Sequence, residues 1–489
     1  MINRIKNAGD LPRIEQIAGP SNGSSPGSPL CGIPPGEFGE LGEKARALLG
    51  ETSPTSPNSP GGHIQRAVYP DDSILADWMR FGRDNTESAD AYLIGSILPV
   101  CGALLGQRAW IDFGDTKKYA NCFVMLAGKP GDRKSSIINL AEMLARRVLG
   151  DESAFLPKNF SPETLFDEFE ARPDKLWIVD DANSVLTDFR KSQNGERVSS
   201  RILDLYDCKP MSDNFRRNKD SKEGGRRREI PLTTTSLLFG ATFNIACFQG
   251  QSVSVRTGFS RRFLYYVAEK HGRLVVWPAP KNLVSLETLT IGFEPLKEIS
   301  GPMLLSQRAH SRWAEYQRAN RAEMDQTDPL RDAKLSLLSS APMQTLSIAM
   351  IFEACRWAKV PFFQNSERPW PGVIQERTLN LAIEHIDENL KAAEYLDQIA
   401  NKAEIAQEAE IFLGNVRGDF RMNTHPDFPD FIFVTKSELT KRYCPHSGRR
   451  GSWKPDDLYL RFIPYLQRRG EAGRIDQLGK RELFAFRAE

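Results

Sequence analysis

The chain has no Cys-x-x-Cys pair. Its seven cysteines (Cys31, Cys101, Cys122, Cys208, Cys247, Cys355 and Cys444) are scattered and odd in number. That pattern argues against a disulfide framework and suits a reducing cytosol. Cys444 with His446 is the nearest approach to a metal motif, and without a second pair of ligands it reads as loop. A surplus of charge is missing too. The 65 basic and 63 acidic residues leave a formal net charge of +2, so any claim of a nucleic-acid or membrane partner has to rest on local clusters. Nor is there an apolar run of the roughly 20 residues that a membrane span needs. The most apolar stretch, Ala91–Leu105, is interrupted by Gly95, Pro99 and Gly102 and reads as a buried helix. The first basic residues are not followed by a long apolar segment, so no signal peptide is expected. No repeat recurs at a fixed period. The expectation is a cytoplasmic protein without a membrane partner.

What is present divides the chain into four stretches. Residues 1–66 are rich in Gly, Pro and Ser, a composition that cannot bury enough apolar surface to offset ordering entropy, and they read as a disordered arm with a short helix near Leu41–Leu49. Residues 67–285 alternate helical and strand patterns, which argues for an α/β fold with a parallel sheet. Helices are expected over "DDSILADWMRFGRD", "SADAYLIGSILPVCGALLG", "SSIINLAEMLARRVLG" and, with Ser161 as N-cap and Pro162 in the first turn, "SPETLFDEFEAR". Strands are expected over "RAWIDF", "NCFVMLAG", "KLWIVDD" and "TSLLFGATFN". Residues 286–410 carry long helical patterns without comparable strand signals. Residues 411–489 combine a capping box (Thr435, Glu438), a helix that Pro464 is placed to kink, and two strands around Gly479, which suggests a winged-helix-like module.

The stretch "LAGKPGDRKSS" resembles a phosphate-binding loop, G-x-x-x-x-G-K-[ST], with Arg133 where the second glycine belongs. It lies between a strand and a helix, the context such a loop requires. Gly128, Gly131, Asp132, Arg133, Lys134, Ser135 and Ser136 are the candidate nucleotide-binding residues. Lys134 would supply a point charge to the β- and γ-phosphates of ATP, and Ser135 a ligand to Mg²⁺. The missing glycine matters only where a positive φ is required or a Cβ has no room. Further on, "LWIVDD" ends an apolar strand in two carboxylates. Asp180 is placed to hold Mg²⁺ and Asp181 to polarise an attacking water; the other reading is two aspartates in a solvated turn. Lys134 and Asp180 are expected to meet at the tips of neighbouring parallel strands. Asn244, with Thr242 behind it, ends a further strand as a candidate water-orienting residue, or simply a strand-end turn. Arg262, with Arg261 second, precedes another β-type run and is the candidate for an arginine supplied to a neighbouring subunit's phosphoryl-transfer site; the alternative is a pair of surface arginines.

These motifs, in this order, resemble a family of bacterial, prophage and mobile-element proteins long filed as a domain of unknown function. It includes the YfjI-like proteins and the helicase halves of phage and plasmid primase–helicases. The resemblance covers about Asp71 to Val267, through "SADAYLIGSILPVCGALLGQRAWI", "GKPGDRKSS", "FSPETLFDEF", "LWIVDDANSVL", "RILDLYDCKP", "SLLFGATFN" and "GFSRRFL". It implies a P-loop NTPase core similar to RecA- and AAA-type ring ATPases, with ATP and Mg²⁺ as cofactors and a homo-oligomeric ring as the working form. It also implies nucleotide roles for Lys134, Ser135, Asp180, Asn244 and Arg262. Relatives often carry this loop with the same glycine replaced. Two departures stand out. Asp181 occupies a position where a glutamate is usual, and the upstream residues read as the arm rather than a primase, so the chain would need a separate primase as partner or do something else.

Nucleic acid has two candidate surfaces. Between the carboxylate strand and the "TSLLFGATFN" strand, Arg216, Arg217, Lys219, Lys222, Arg226, Arg227 and Arg228 crowd a short insertion around Gly224–Gly225. As a hairpin in a ring's pore they would track the phosphate backbone of single-stranded or forked DNA without reading sequence. Interleaved acids make a mobile solvated loop the equal alternative, and Phe215 is the single aromatic there. The C-terminal module is also basic, through Lys436, Lys441, Arg442, Arg449, Arg450, Lys454, Arg468, Arg469, Arg474, Lys480 and Arg481, and could serve DNA or protein docking. The leading expectation is an ATP-hydrolysing, helicase-like ring motor of a mobile element. The alternatives are an ATP-gated DNA-binding loader, initiator or switch, and a scaffold with a vestigial site.

Overall fold

A computed structural model describes residues 65–488 apart from 159, 192, 215–226, 244–259, 269–273, 276–283, 328–331, 360–369, 371, 422, 426–427, 445–452, 470 and 479–480. Of the expected disordered arm, residues 1–64 with the short helix lie outside the described residues; Gln65 is buried and hydrogen-bonded to Tyr265 and Val267, so the ordered chain begins before residue 67. The described chain forms two compact units that divide between Glu404 and Ile405.

The first unit opens with α1 (Ile74–Asn85), started by the Ser73 hydroxyl accepting from the Leu75 N–H, and α2 (Asp90–Leu105). The second of these is apolar on all sides, so it cannot lie on a surface, and it is buried nearly throughout. A hairpin of β1 (Ala109–Phe113) and β2 (Thr116–Tyr119) leads into β3 (Phe123–Ala127) and α3 (Lys134–Leu149), which ends at Gly150 in the left-handed region. Then follow α4 (Pro162–Ala171), capped by Ser161 as its sequence predicts, β4 (Asp174–Val179), α5 (Asn183–Lys191) and α6 (Gln193–Tyr206). A short antiparallel hairpin, β5 (Met211–Asn214) with β6 (Arg227–Ile230), precedes β7 (Thr234–Ala241) and β8 (Phe263–Val267).

Strands β4, β7, β3 and β8 form one parallel sheet in that order. Its residues are buried on both faces, the pattern of a parallel sheet covered by helices on each side. On one face Val124, Leu126, Ile178, Leu238 and Tyr266 pack with α2 and with Ile137, Ala141 and Leu144 of α3. On the other, Met125, Trp177, Phe239 and Phe263 meet Leu165 and Phe169 of α4, Leu186 of α5 and Ile202 of α6. The order corrects one expectation. The strands that end in the phosphate-type loop and in Asp180 are not neighbours, because β7 lies between them.

The helical stretch continues the same core. Here α7 (Leu286–Phe293), α8 (Gln307–Gln326), α9 (Asp332–Ala358) and the start of α10 (Glu376–Asp419) pack with α1 and α2, so the unit runs on to Glu404 rather than ending near residue 285. Three two-residue strands, β9 (Gly301–Pro302), β10 (Leu304–Leu305) and β11 (Val373–Ile374), tie it down; β9 pairs with β1. Strands this short leave no periodicity in a sequence. Among the described residues one segment, Lys334–Ala358, is long and apolar enough to cross a membrane, and 67% of its most apolar window is buried inside the fold.

The second unit takes the end of α10, then β12 (Thr424–His425), β13 (Phe428–Thr435), α11 (Lys436–Tyr443), α12 (Ile463–Arg468), β14 (Ala472–Leu478) and β15 (Arg481–Arg487). Its antiparallel sheet has the order β12-β13-β15-β14. The Thr435–Glu438 capping box is present in full. A π-turn over Asp457–Phe462 precedes Pro464, so the widened helix meets the residue that lacks an N–H. Phe412, Tyr443, Trp453, Phe462 and Phe486 make the aromatic centre.

In the first unit, His385 of α10 is fully buried between the Tyr266 hydroxyl, at 2.6 Å, and the Val68 carbonyl, at 2.7 Å. Burial pushes its pKa down to about 4, so the ring is neutral in the fold at pH 7. Below about pH 6.5 the unfolded chain takes up a proton that the folded chain refuses, so this residue removes stability as pH falls, up to about 3 kcal/mol by pH 4. Denaturant titrations from pH 7 to pH 4 should therefore give a shallower stability loss for His385→Gln than for the wild type.

Candidate functional site

A cleft of about 390 Å³ opens at the carboxyl ends of β3, β7 and β4, lined by 130–136, Asp180, Asp181, Asn183, Gly240, Ala241 and Thr242. In open parallel sheets this edge is where ligands bind, at the point where the chain reverses its direction across the sheet. From β3 the chain crosses β7 to reach β4, and from β7 it crosses β3 to reach β8, so the connections leave these adjacent strands in opposite directions and the crevice lies between β3 and β7. The intervening strand holds the tips of β3 and β4 about 10 Å apart, two strand spacings, which leaves room for a phosphate group between them.

The loop after β3 is shaped by three residues. Gly128 has no room for a side chain: a Cβ there would stand 2.2 Å from the Tyr92 hydroxyl and 2.6 Å from Asp132 Oδ2. That hydroxyl donates to the Ala127 carbonyl at 2.8 Å, so α2 props up the base of the loop. Gly131 has φ +94°, which favours glycine. Arg133 occupies the position of the missing glycine with φ 58° and ψ 22°, the left-handed conformation a glycine would take. Two contacts hold it there: its Nε donates to Glu87 Oε2 at 3.0 Å, and its carbonyl accepts from Ser88 Oγ at 2.7 Å. The loop thus keeps its backbone path without the glycine.

Lys134 begins α3, whose first backbone N–H groups and partial positive charge point at the cleft. Its Nζ donates to the Gly128 and Lys129 carbonyls at 3.0 and 2.8 Å. Burial holds the ammonium below the ordinary lysine value, and Asp132, Asp180 and Asp181 pull it back up. Ser135 and Ser136 are exposed on the same rim, while Asp132 is buried and accepts from the Lys129 N–H.

On the opposite wall the turn after β4 folds across the end of β7. The Ala182 N–H donates to the Gly240 carbonyl at 2.8 Å. A Cβ on Gly240 would lie 2.2 Å from the Asp180 carbonyl oxygen, so the turn requires glycine there. This close approach sets Asp180 beside the cleft, where its Oδ1 is buried and has no hydrogen-bond partner among the described residues. Asp181 is exposed and accepts from the Asn183 N–H at 3.2 Å. Asn183 Oδ1 in turn accepts from the Thr242 N–H at 3.2 Å, which locks this turn to the end of β7.

The donor set suits a hard divalent cation such as Mg²⁺: a carboxylate with an unpartnered buried oxygen and an exposed serine hydroxyl line the same cleft. Among the described residues no group of three or more His, Cys, Asp or Glu could hold a metal alone. Mg²⁺ needs no such cage, since it is commonly held by one or two carboxylates together with phosphates. Asp180 and Ser135 are the residues that would hold it.

A comparison with protein-family models finds no match for this chain, and a comparison with curated proteins finds none either.

The cleft therefore brings together Gly131, Asp132, Arg133, Lys134, Ser135, Ser136, Asp180, Asp181 and Thr242, with Gly128 at its base. It does not include Arg262. That residue precedes β8, at the opposite edge of the sheet; it is 9% exposed and its Nη2 donates to Asp207 Oδ2 at 2.7 Å. Asn244 lies outside the described residues. Sequence reasoning overlooked Asn183, Glu87 and Tyr92. An asparagine at a helix start after two carboxylates was a usable signal for the first; the other two sit far upstream of the loop they support and give no local sign.

Of the candidate DNA contacts, Arg216, Arg217, Lys219, Lys222 and Arg226 lie outside the described residues. Arg227 and Arg228 lie in β6, where Arg227 pairs with Asn214 of β5. In the second unit the exposed cations are partly engaged: Lys436 and Arg474 pair with Glu482, Arg442 with Asp419, and Arg469 with Glu410 and Glu471. Lys441, Lys454 and Arg468 are exposed. Arg449, Arg450 and Lys480 lie outside the described residues.

Two substitutions probe the cleft's construction. Gly240→Ala should cost about 1–3 kcal/mol in urea denaturation, because the Asp180 carbonyl has to move. Arg133→Gly should stay within about 1 kcal/mol of the wild type, since a relaxed backbone replaces an exposed ion pair, whereas the β-branched Arg133→Val should lose about 1–2 kcal/mol.

Proposed function

We propose that the chain is an ATP-hydrolysing, Mg²⁺-dependent motor with a P-loop NTPase core similar to RecA- and AAA-type ring ATPases, acting on single-stranded or forked DNA in the replication of a mobile element. The observation that carries this reading is that one cleft, at the end of β7, is lined by both Lys134 and Asp180. Lys134 binds the β- and γ-phosphates once its ammonium leaves the loop carbonyls. The backbone N–H groups of 131–136 orient the same phosphates. Asp181 orients the attacking water and accepts its proton. Mg²⁺, when bound, neutralises charge on the phosphate oxygens.

The antiparallel pairing of Asn214 with Arg227 brackets the basic stretch of the sequence, whose cations would contact DNA phosphates. The second unit follows β13 with α11, α12 and the β14–β15 hairpin, and β15 pairs back on β13. That order supports a winged-helix-like module. Arg262 would serve a neighbouring copy's site.

A second reading, an ATP-gated DNA-binding loader, initiator or switch, is favoured by one observation: Asp181 is occupied by the Asn183 N–H, and its side chain is one methylene shorter than glutamate.

ATP turnover by the full chain, with and without single-stranded DNA, tests the main reading. DNA should stimulate it, and Lys134→Ala and Asp180→Asn should each lower it about 100-fold or more. A wild-type chain with no ATP turnover in either condition overturns the enzyme. Slow turnover without displacement of a forked strand selects the switch.

A further inference from the structure

A second cavity, of about 420 Å³, opens at the other edge of the sheet, lined by β2, the residues after α6, the turn before β8 and part of α9. Strands of five to six residues separate it from the cleft, a span of roughly 15–20 Å. Four of its lining residues are cations, Lys117, Lys118, Arg261 and Arg262, and one is a carboxylate, Asp207.

Two of the cations are buried. Lys118 is 8% exposed and Arg262 is 9% exposed, and both lie against the Tyr206 ring, at 5.1 and 5.6 Å from its centroid. Arg262 is paired with Asp207. Lys118 is different: among the described residues its ammonium has no carboxylate in ion-pair range and no hydrogen-bond acceptor, only the face of that ring. Asp207 is already shared between Arg262 and Lys209. A buried cation without a counter-ion is costly, several kcal/mol in general, and its stem could have been apolar at no loss of packing. Burial also lowers the Lys118 pKa, and Asp207 only partly offsets that.

We propose that this cavity is a binding pocket for a phosphate group, held by Lys118 and Arg262 across Tyr206, at a site distinct from the nucleotide cleft. A phosphate dianion supplies the missing counter-charge for Lys118. Its several oxygens can also accept from the guanidinium edges of Arg262 and Arg261 while Asp207 stays in place. The cavity is larger than one phosphate, so the group arrives on a polyphosphate or a nucleotide, either free or carried by a second copy of the chain.

The test uses the full chain carrying Lys134→Ala, which removes the cleft's own lysine and makes the result independent of the proposed ATPase. Calorimetry with pyrophosphate should detect binding. Adding Lys118→Met, which keeps the stem and removes the charge, should weaken it by about tenfold or more. No pyrophosphate binding by the Lys134→Ala chain, or equal affinity with and without Lys118, overturns the pocket. If Lys118→Met does not fold by circular dichroism, Arg261→Gln in the same background is expected to weaken binding as well, and unchanged affinity overturns the proposal equally. Light scattering of the wild type with Mg²⁺ and a non-hydrolysable ATP analogue then identifies the source. Assembly that Lys118→Met or excess pyrophosphate dissolves supports the pocket with a second copy's nucleotide in it, and mass unchanged by pyrophosphate supports it with the free anion.

Discussion

The passage of one peptide carbonyl over one glycine organises the cleft. Gly240 is the penultimate residue of β7, and the Asp180 carbonyl crosses it at a distance no side chain would permit. Because β7 separates β3 from β4, the turn after β4 must climb over β7 to bring its carboxylates toward Lys134. Without that crossing, two strand spacings would keep the carboxylate turn apart from the loop. Asn183 ties the crossing down by accepting from the Thr242 N–H, which links the polar residue just past β7 to the carboxylate turn.

Much of this was legible along the chain, for local reasons. The loop, the apolar strand ending in Asp180 and Asp181, and the strand ending at Ala241 each announce themselves through composition and period over five to eight residues. Capping also reads locally, so Ser161, Gly150 and the Thr435–Glu438 box fall where side-chain chemistry places them. What did not read locally was strand order. No pattern within β3 or β4 says that a strand from much further along the chain inserts between them. The two-residue strands β9 to β11 were invisible for a related reason, since their pairing partners lie far away in sequence and they are too short to alternate.

Arg133 is a case where the residue and the backbone tell different stories. Read as a letter, it breaks the loop motif. Read as a conformation, it keeps it, because Glu87 and Ser88 hold the arginine in the left-handed region that glycine visits freely. An arginine in that state costs about 1–2 kcal/mol, comparable to what the two contacts can return. The substitution is therefore a question of compensation at a distance, which a motif written as consecutive letters cannot express.

The two edges of the sheet share one electrostatic theme. At the carboxyl edge a half-buried lysine is satisfied by loop carbonyls while an aspartate oxygen opposite it is orphaned. At the amino edge a buried lysine has only an aromatic face. Each arrangement is costly for an isolated fold, and apolar residues of similar size would relieve it without disturbing the packing around it. Under the proposed readings, both conditions are relieved when a phosphate-bearing ligand arrives. At the carboxyl edge both charge signs stand ready, as a phosphate with its cation requires. At the amino edge the excess is positive alone, which suits the phosphate by itself. The difference in sign balance between the two cavities, more than their similar size, is the reason to treat them as separate sites.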